Sequence, residues 1–464
     1  MFPDKLKISR IVPIHKKGPK DELNNYRPIA VQSIFSKLFE LVIHNRLFKY
    51  LNSNKLLSDE QHGFRSGKST TTAIFNFIMN TYKAVDSKLT TVGLFYDLSK
   101  AFDTINHNLL LSKLNNLGIC GTSNMLIASY LKNRAQYVSV KTTLDSYESS
   151  VSSKLRNNEC GVPQGSILGP LLFIIFINDL PPSINRGVLT LYADDTSQLF
   201  AFKNSIDAEL HINSGIAEFK NWCDNNGLIL NISKTHLMHF HSHYHAINSS
   251  LNVTLNNTSI KASNNTKFLG LSLSANLTWD EHIIQTANKL SKSSYLILKC
   301  RNFLKTATLK LIYYGYFQSI CAYGIIFWGS SANLQTLFKI QKKAIRFMTS
   351  SSYCSPCRPL FKTLEILTLP CLFIFECIKF VLNNEHLFVK QRDVRNCETR
   401  DKYNLNIPKH RLTLFSNSVY CSCVRFYNKL PEDIKNQPKN KIKLSVEKLL
   451  INNAFYSIDE YLSS

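Results

Sequence analysis

A chain of 464 residues with 44% apolar and 19% charged side chains has the make-up of a folded protein of roughly two to four subdomains, which excludes an intrinsically disordered reading. Fifty-five Lys and Arg against 32 Asp and Glu leave a formal charge of +23, and a polyanion is the usual partner of such a surface. Charge alone also allows general solubility or an anionic membrane surface, so particular residues have to decide.

The opening MFPDKLKISR has no secretory apolar segment, and twelve scattered cysteines read as free thiols, so a nuclear or cytoplasmic location is expected rather than secretion. Residues 31–51 set Ile34, Leu38, Leu41 and Val42 at helical spacing, with Lys37 and Arg46 off that stripe. Residues 91–98, TVGLFYDL, are β-branched and aromatic and predict a buried strand. His107 to Leu117 predicts a helix stopped by Gly118, with Asp103 placed to cap it. The longest apolar run, Leu168 to Ile177, falls short of the ~20 residues of a membrane span, so no membrane partner is expected. Residues 188–201, VLTLYADDTSQLFA, predict two short strands joined at Asp194-Asp195. Beyond residue 280 the pattern is helical. Residues 337–348 place Leu337, Ile340, Ala344 and Met348 on one face and Lys339, Lys342, Lys343 and Arg346 on the other, a face either merely solvated or set against nucleic acid. Pro356, Pro359 and Pro370 punctuate a boundary, and residues 371–464 carry the least signal.

Three carboxylates stand out. Asp97 ends a hydrophobic strand, where its charge is costly without a cation or a donor. Asp194 and Asp195 repel each other unless a cation neutralises them. Side by side in one sheet, the two sites would make an oxygen-rich cage for Mg²⁺. Two ions ~4 Å apart serve phosphoryl transfer by activating the attacking hydroxyl and stabilising the leaving pyrophosphate. A lone Asp-Asp pair is otherwise a solvated turn, so the surrounding words matter.

Those words are specific. FYDLSKAFD (95–103), GVPQGSILGPLLFIIFINDL (161–180), LYADD (191–195), GLILNISKT (227–235) and KFLGLSL (267–273) resemble, in order, reverse transcriptase motifs A to D and the primer-grip segment. IVPIHKKGPKDELNNYRPIAV (11–31) and QHGFRSGKSTTTA (61–73) resemble the fingers of non-LTR, LINE-type, jockey-like retrotransposon enzymes, and RPLFKTLEIL (358–367) and YNKLP (427–431) resemble the region beyond. The resemblance implies an α+β right-hand polymerase. Fingers would occupy 1–90, a palm with an antiparallel sheet and interleaved fingers segments 91–275, and a helical thumb 276–370; a mostly helical region of unknown role would occupy 371–464. It also implies an RNA-directed DNA polymerase that extends a primer 3′-OH on an RNA template with dNTPs, in target-primed reverse transcription at DNA. No endonuclease pattern precedes residue 8 and no acidic RNase H pattern follows 300, so nicking is expected from a missing segment or another protein. A truncated relic that only binds nucleic acid is the alternative, while the YADD box and Phe102 argue against an RNA-dependent RNA polymerase.

By resemblance, Asp97 and Asp194 hold two Mg²⁺ ions (Mn²⁺ a possible substitute) and Asp195 supports the same site. Lys234 matches the lysine proposed to protonate pyrophosphate, with a surface lysine as its alternative. Either Lys16 or Lys17, together with Arg27, would hold the triphosphate, and Arg65 is a further phosphate or template candidate. Phe102 would collide with a ribose 2′-OH, or else is a core ring. Gln164 and Gly165 would shape the nucleotide and template pocket, glycine allowing a close backbone approach. His236, His239, His241, His243 and His245 read as a polar strand edge or loop, and Cys354, Cys357, Cys421 and Cys423 lack a zinc-knuckle spacing, so no structural zinc is expected.

Overall fold

The structure, a computed structural model, describes residues 1–144, 147–203, 207–242, 251–255, 258–394 and 404–464. These fall into two compact units, drawn from Met1–Ala73, Val92–Leu237 and Ser249–Ala262, and from Ile74–Thr91, Met238–Asn248 and Ser263–Ser464. Among the described residues no helix is long and apolar enough to cross a membrane. His243 and His245 lie outside the described residues.

In the first unit, β1 (Ile8–His15) pairs antiparallel with β2 (Tyr26–Val31), and β1 pairs parallel with β4 (Arg134–Leu144). With β5 (Tyr147–Ser152) the order is β2-β1-β4-β5, and β6 (Arg156–Asn158) also lies along β4. The second sheet runs β9-β3-β8-β7, built from β3 (Thr90–Tyr96), β7 (Val188–Tyr192), β8 (Asp195–Phe202) and β9 (His236–Phe240). Six of the seven β3 residues are buried, which explains why its sequence from Val92 onward is apolar rather than alternating. Helix α3 (Leu168–Phe176) is buried at every position but Pro170 and forms part of the same core as β3.

Helix α1 (Ile34–Ser53) forms as its spacing predicts, with Ser33 capping it through Ser36 N–H, but the apolar stripe faces outward. Ile34 is 76% exposed and Val42 56%, with Leu38 and Leu41 also exposed, whereas Ser36, Glu40, Leu47 and Leu51 are the buried positions. Leu38, Phe39 and Val42, with Phe2, Ile119 and Ile127, line an apolar cavity of about 650 Å³. Helix α2 (His107–Asn116) is capped by Asn106, whose Oδ1 accepts from the N–H groups of Asn108 and Leu109, and not by Asp103. Asp103 sits too far upstream and instead accepts from Gln164 Nε2 at 3.4 Å.

The second unit is mainly helical, with one hairpin of β10 (Asn265–Phe268) and β11 (Leu271–Ser274). Helix α4 (Asp280–Cys300) packs on α5 (Leu334–Met348), and α6 (Leu369–Asn383) packs on α7 (Val419–Asn428) and α8 (Lys439–Asn453). α5 buries Leu337, Ala344 and Met348 as its periodicity predicts, but Ile340 is only half-buried, while Phe338, Gln341 and Ile345 are buried with them. Part of its basic face is held by its own chain: Arg346 Nε donates to Ser355 O at 3.0 Å, and Lys342 Nζ lies 4.7 Å over the Phe338 ring.

Candidate active site

Strand β3 delivers Asp97 at its end, and the Asp97 carbonyl accepts from Asn231 N–H at 2.8 Å. The carboxylate is 40% exposed and meets Lys234 Nζ at 3.1 Å through Oδ2. β7 and β8 form a hairpin in which Tyr192 pairs with Asp195, leaving Ala193-Asp194 as a two-residue turn. The turn therefore begins one residue earlier than the sequence suggested, because Ala193 takes a left-handed φ of 54°. β3 neighbours β8 in the sheet, and Tyr96 Oη donates to Gln198 Oε1 at 2.5 Å, so Asp97 and the Asp-Asp turn stand on adjacent strands.

Charge couples these groups. Burial pushes the Asp194 carboxyl above its ordinary value, and Asp97 pushes it further against the pull of Arg27 and Lys16. Asp195, although solvent-exposed by surface area, is raised to about 6 by desolvation, then by Asp194 and Asp97, with Lys16 and Arg27 opposing. Both cations come from one connection: β1 ends at His15, Lys16 N–H donates to Asn25 O at 2.8 Å, and β2 starts at Tyr26. Lys16 and Arg27 are exposed and make no side-chain hydrogen bond or ion pair among the described residues. Lys17 is exposed as well, and Lys16 is the lysine named among the charges acting on the two aspartates.

A second group borders the turn of residues 163–165. Gln164 O accepts from Ala30 N–H of β2 at 2.7 Å, and Gly165 has φ +110°. A Cβ there would stand 2.8 Å from Ala30 O, so only glycine fits the approach. Phe102 is half-buried and stacks on Phe173 of α3, centroids 4.3 Å apart, while its carbonyl accepts from Val162 N–H at 2.8 Å. The ring is thus held in one orientation by the core. Burial raises the Asp103 carboxyl, with Lys100 and Gln164 opposing.

Arg65 does not join the site. Its Nη1 donates to Ser58 O and lies 3.7 Å from Asp59, with the side chain 14% exposed, so the guanidinium holds its own loop together. Sequence reasoning missed Glu40. It is fully buried; its Oε2 accepts from Ile167 N–H at 2.7 Å and Leu168 N–H at 3.3 Å, and its Oε1 from Tyr130 Oη at 2.9 Å. The carboxylate therefore caps α3, directly after the Gln164-Gly165 turn. The available signal was an acid inside the apolar stretch LFELVI (38–43), costly there without donors.

The donor set at Asp97, Asp194 and Asp195 is oxygen only, which suits a hard cation such as Mg²⁺. Among the described residues no three His, Cys, Asp or Glu side chains are gathered into a preformed cage. The fit lies in the charge: burial, and after it mutual repulsion, raise Asp194 and Asp195, and a divalent ion offsets both, while Lys234 supplies a single positive charge at Asp97.

Comparison with known proteins gives a family. The profile described as "Reverse transcriptase (RNA-dependent DNA polymerase)" matches residues 14–273. The chain is 31% identical to the probable RNA-directed DNA polymerase from transposon BS of Drosophila melanogaster, over 76% of this chain and 39% of that protein. To the polymerase from mobile element jockey of the same organism it is 29% identical, over 79% of this chain and 40% of the relative. The chain thus spans about two fifths of the length of these relatives. Among solved structures, apo telomerase from Candida tropicalis aligns with a TM-score of 0.44 and 13% identity, over 77% of this chain and 61% of the other.

Proposed function

Since this chain belongs to the reverse transcriptase family, among jockey-like non-LTR enzymes, we propose that it is an RNA-directed DNA polymerase extending a primer 3′-OH on an RNA template with dNTPs. The observation that carries the reading is the coupling of Asp97, Asp194 and Asp195 on adjacent strands with Lys16 and Arg27 facing them. Fingers at 1–90, palm at 91–275 and thumb at 276–370 remain the natural division for this role, and primer supply by nicked target DNA is part of the same reading.

The family generally uses divalent metal ions, and Asp97 and Asp194, supported by Asp195, would hold Mg²⁺ or Mn²⁺ here. When bound, the ions supply countercharge for the attacking oxygen and the leaving pyrophosphate. The chain's own groups do the rest. Lys16 and Arg27 attract and orient the triphosphate, Arg27 with a bidentate fork and Lys16 as a point charge. Lys234, 3.1 Å from Asp97, carries a proton that the departing pyrophosphate can accept. The Gln164-Gly165 turn lets the base pair approach the backbone, and the Phe102 ring, fixed by Phe173, blocks a 2′-OH.

Extension of a DNA primer annealed to RNA, with Mg²⁺ and dNTPs, tests the reading beside the Asp194→Asn, Asp195→Asn double variant. Extension lost in the variant supports it. Preference for NTPs, or RNA binding by a folded wild type with no extension in Mg²⁺ or Mn²⁺, overturns it, the latter in favour of a relic that only binds nucleic acid.

A further inference from the structure

The Asp-Asp turn has a conformation its own sequence does not favour. Ala193 is 5% exposed with φ 54°, a region that residues with a Cβ avoid. Its N–H, buried with it, needs an acceptor. That acceptor comes from far along the chain: Gln61 Oε1 lies 3.0 Å from Ala193 N and also accepts from Gly63 N–H at 2.7 Å. Gln61 is 2% exposed and cannot swing away. Backbone pairing fixes its register against β7, with Leu191 N–H donating to Glu60 O at 2.9 Å and His62 N–H to Leu191 O at 2.8 Å. Gly63 completes the fit, because a Cβ there would stand 2.5 Å from Ala193 N.

We infer that Gln61 is a positioning residue for the polymerase reaction: its carboxamide oxygen clamps the Ala193 N–H and so holds the strained turn in the shape that aims Asp194 and Asp195. This rests on the polymerase reading above. The side chain touches no reacting group; it acts through the turn.

The test uses two readouts on the full chain: primer extension, and backbone hydrogen exchange of the segment 188–202. Gln61→Met keeps the volume and removes the oxygen. It is expected to speed exchange in that segment selectively and to lower kcat on the order of 10²-fold, the scale of a small misplacement of catalytic groups, with little change in KM for dNTP. Adding Ala193→Gly should recover at least several-fold of the lost kcat, because glycine adopts the left-handed turn unaided. Gln61→Glu, which keeps an acceptor and guards against a failure of the Met variant to fold, should preserve exchange protection at 188–202, and protection lost in it overturns the clamp. Unchanged exchange at 188–202 in Gln61→Met overturns the clamp, as does loss of kcat that Ala193→Gly fails to relieve. A wild type without extension on any template would sink the polymerase reading instead, and the exchange comparison would still decide the clamp.

Discussion

Asp195 shows what burial and two neighbouring carboxylates do to a single residue. Its carboxyl titrates near 6 in the fold against an ordinary 3.8, so the folded state binds the proton more tightly. That contribution to stability is complete below 3.8 and is lost as pH rises through about 6. In chelator, Asp195→Asn should therefore melt higher than wild type at about pH 7.5 by on the order of 1–3 °C, allowing for solvent screening, and show little gain near pH 4. Circular dichroism melts at the two pH values check this, and a gain of the opposite pH dependence would contradict it. Arg27 and Arg65 make a second contrast. Arg27→Ala should raise KM for dNTP with little effect on stability. Arg65→Ala should leave KM alone and cost about 1–2 kcal/mol in a denaturant titration, since it strips a donor from Ser58 O. Asp97 stood out in sequence because a carboxylate in apolar company announces its own cost, whereas Asp194-Asp195, readable alone as a solvated turn, needed the motifs around it. A choice between Lys16 and Lys17 was not legible, because adjacent lysines differ only in the direction in which the strand releases them. Gln61 was hidden for a different reason: it stands in the polar stretch SDEQHG (58–63), where nothing local marks its side chain as buried.

At the level of elements, β3 and α3 were readable since both are buried on all sides and their sequences are correspondingly unbroken. The β7–β8 hairpin was displaced by one residue because nothing local marks Ala193 as left-handed. Helix α1 was readable as a helix but not in its orientation. Periodicity reports that apolar side chains share a face; it does not report which face the fold covers. Here the inward side is chosen by Glu40, which the start of α3 needs as an acceptor. Glu40→Ala should accordingly destabilise the chain by roughly 2–4 kcal/mol, leaving two N–H groups and a tyrosine hydroxyl without their acceptor, and Glu40→Gln by less. Chemical denaturation distinguishes them, and equal, small losses would mean that water replaces the carboxylate.

For the whole molecule, a charge of +23 makes ionic strength the main control on nucleic-acid affinity. If about six phosphates are neutralised, affinity for a primer–template should fall on the order of 10³-fold between 50 and 200 mM salt, in a log–log slope that fluorescence anisotropy reads directly. A flat slope would place the charge away from the bound strand. The outward face of α1 affects the choice of instrument for all these measurements. Leu38 and Val42, each more than half exposed and lining an apolar cavity of about 650 Å³, offer the native chain as a ready host for environment-sensitive dyes. Dye-based melting curves would then start from a bright baseline and register loss of that host together with unfolding. A strong dye signal from a fresh preparation would be a property of the folded protein, and variant stabilities are better followed by signals intrinsic to the chain.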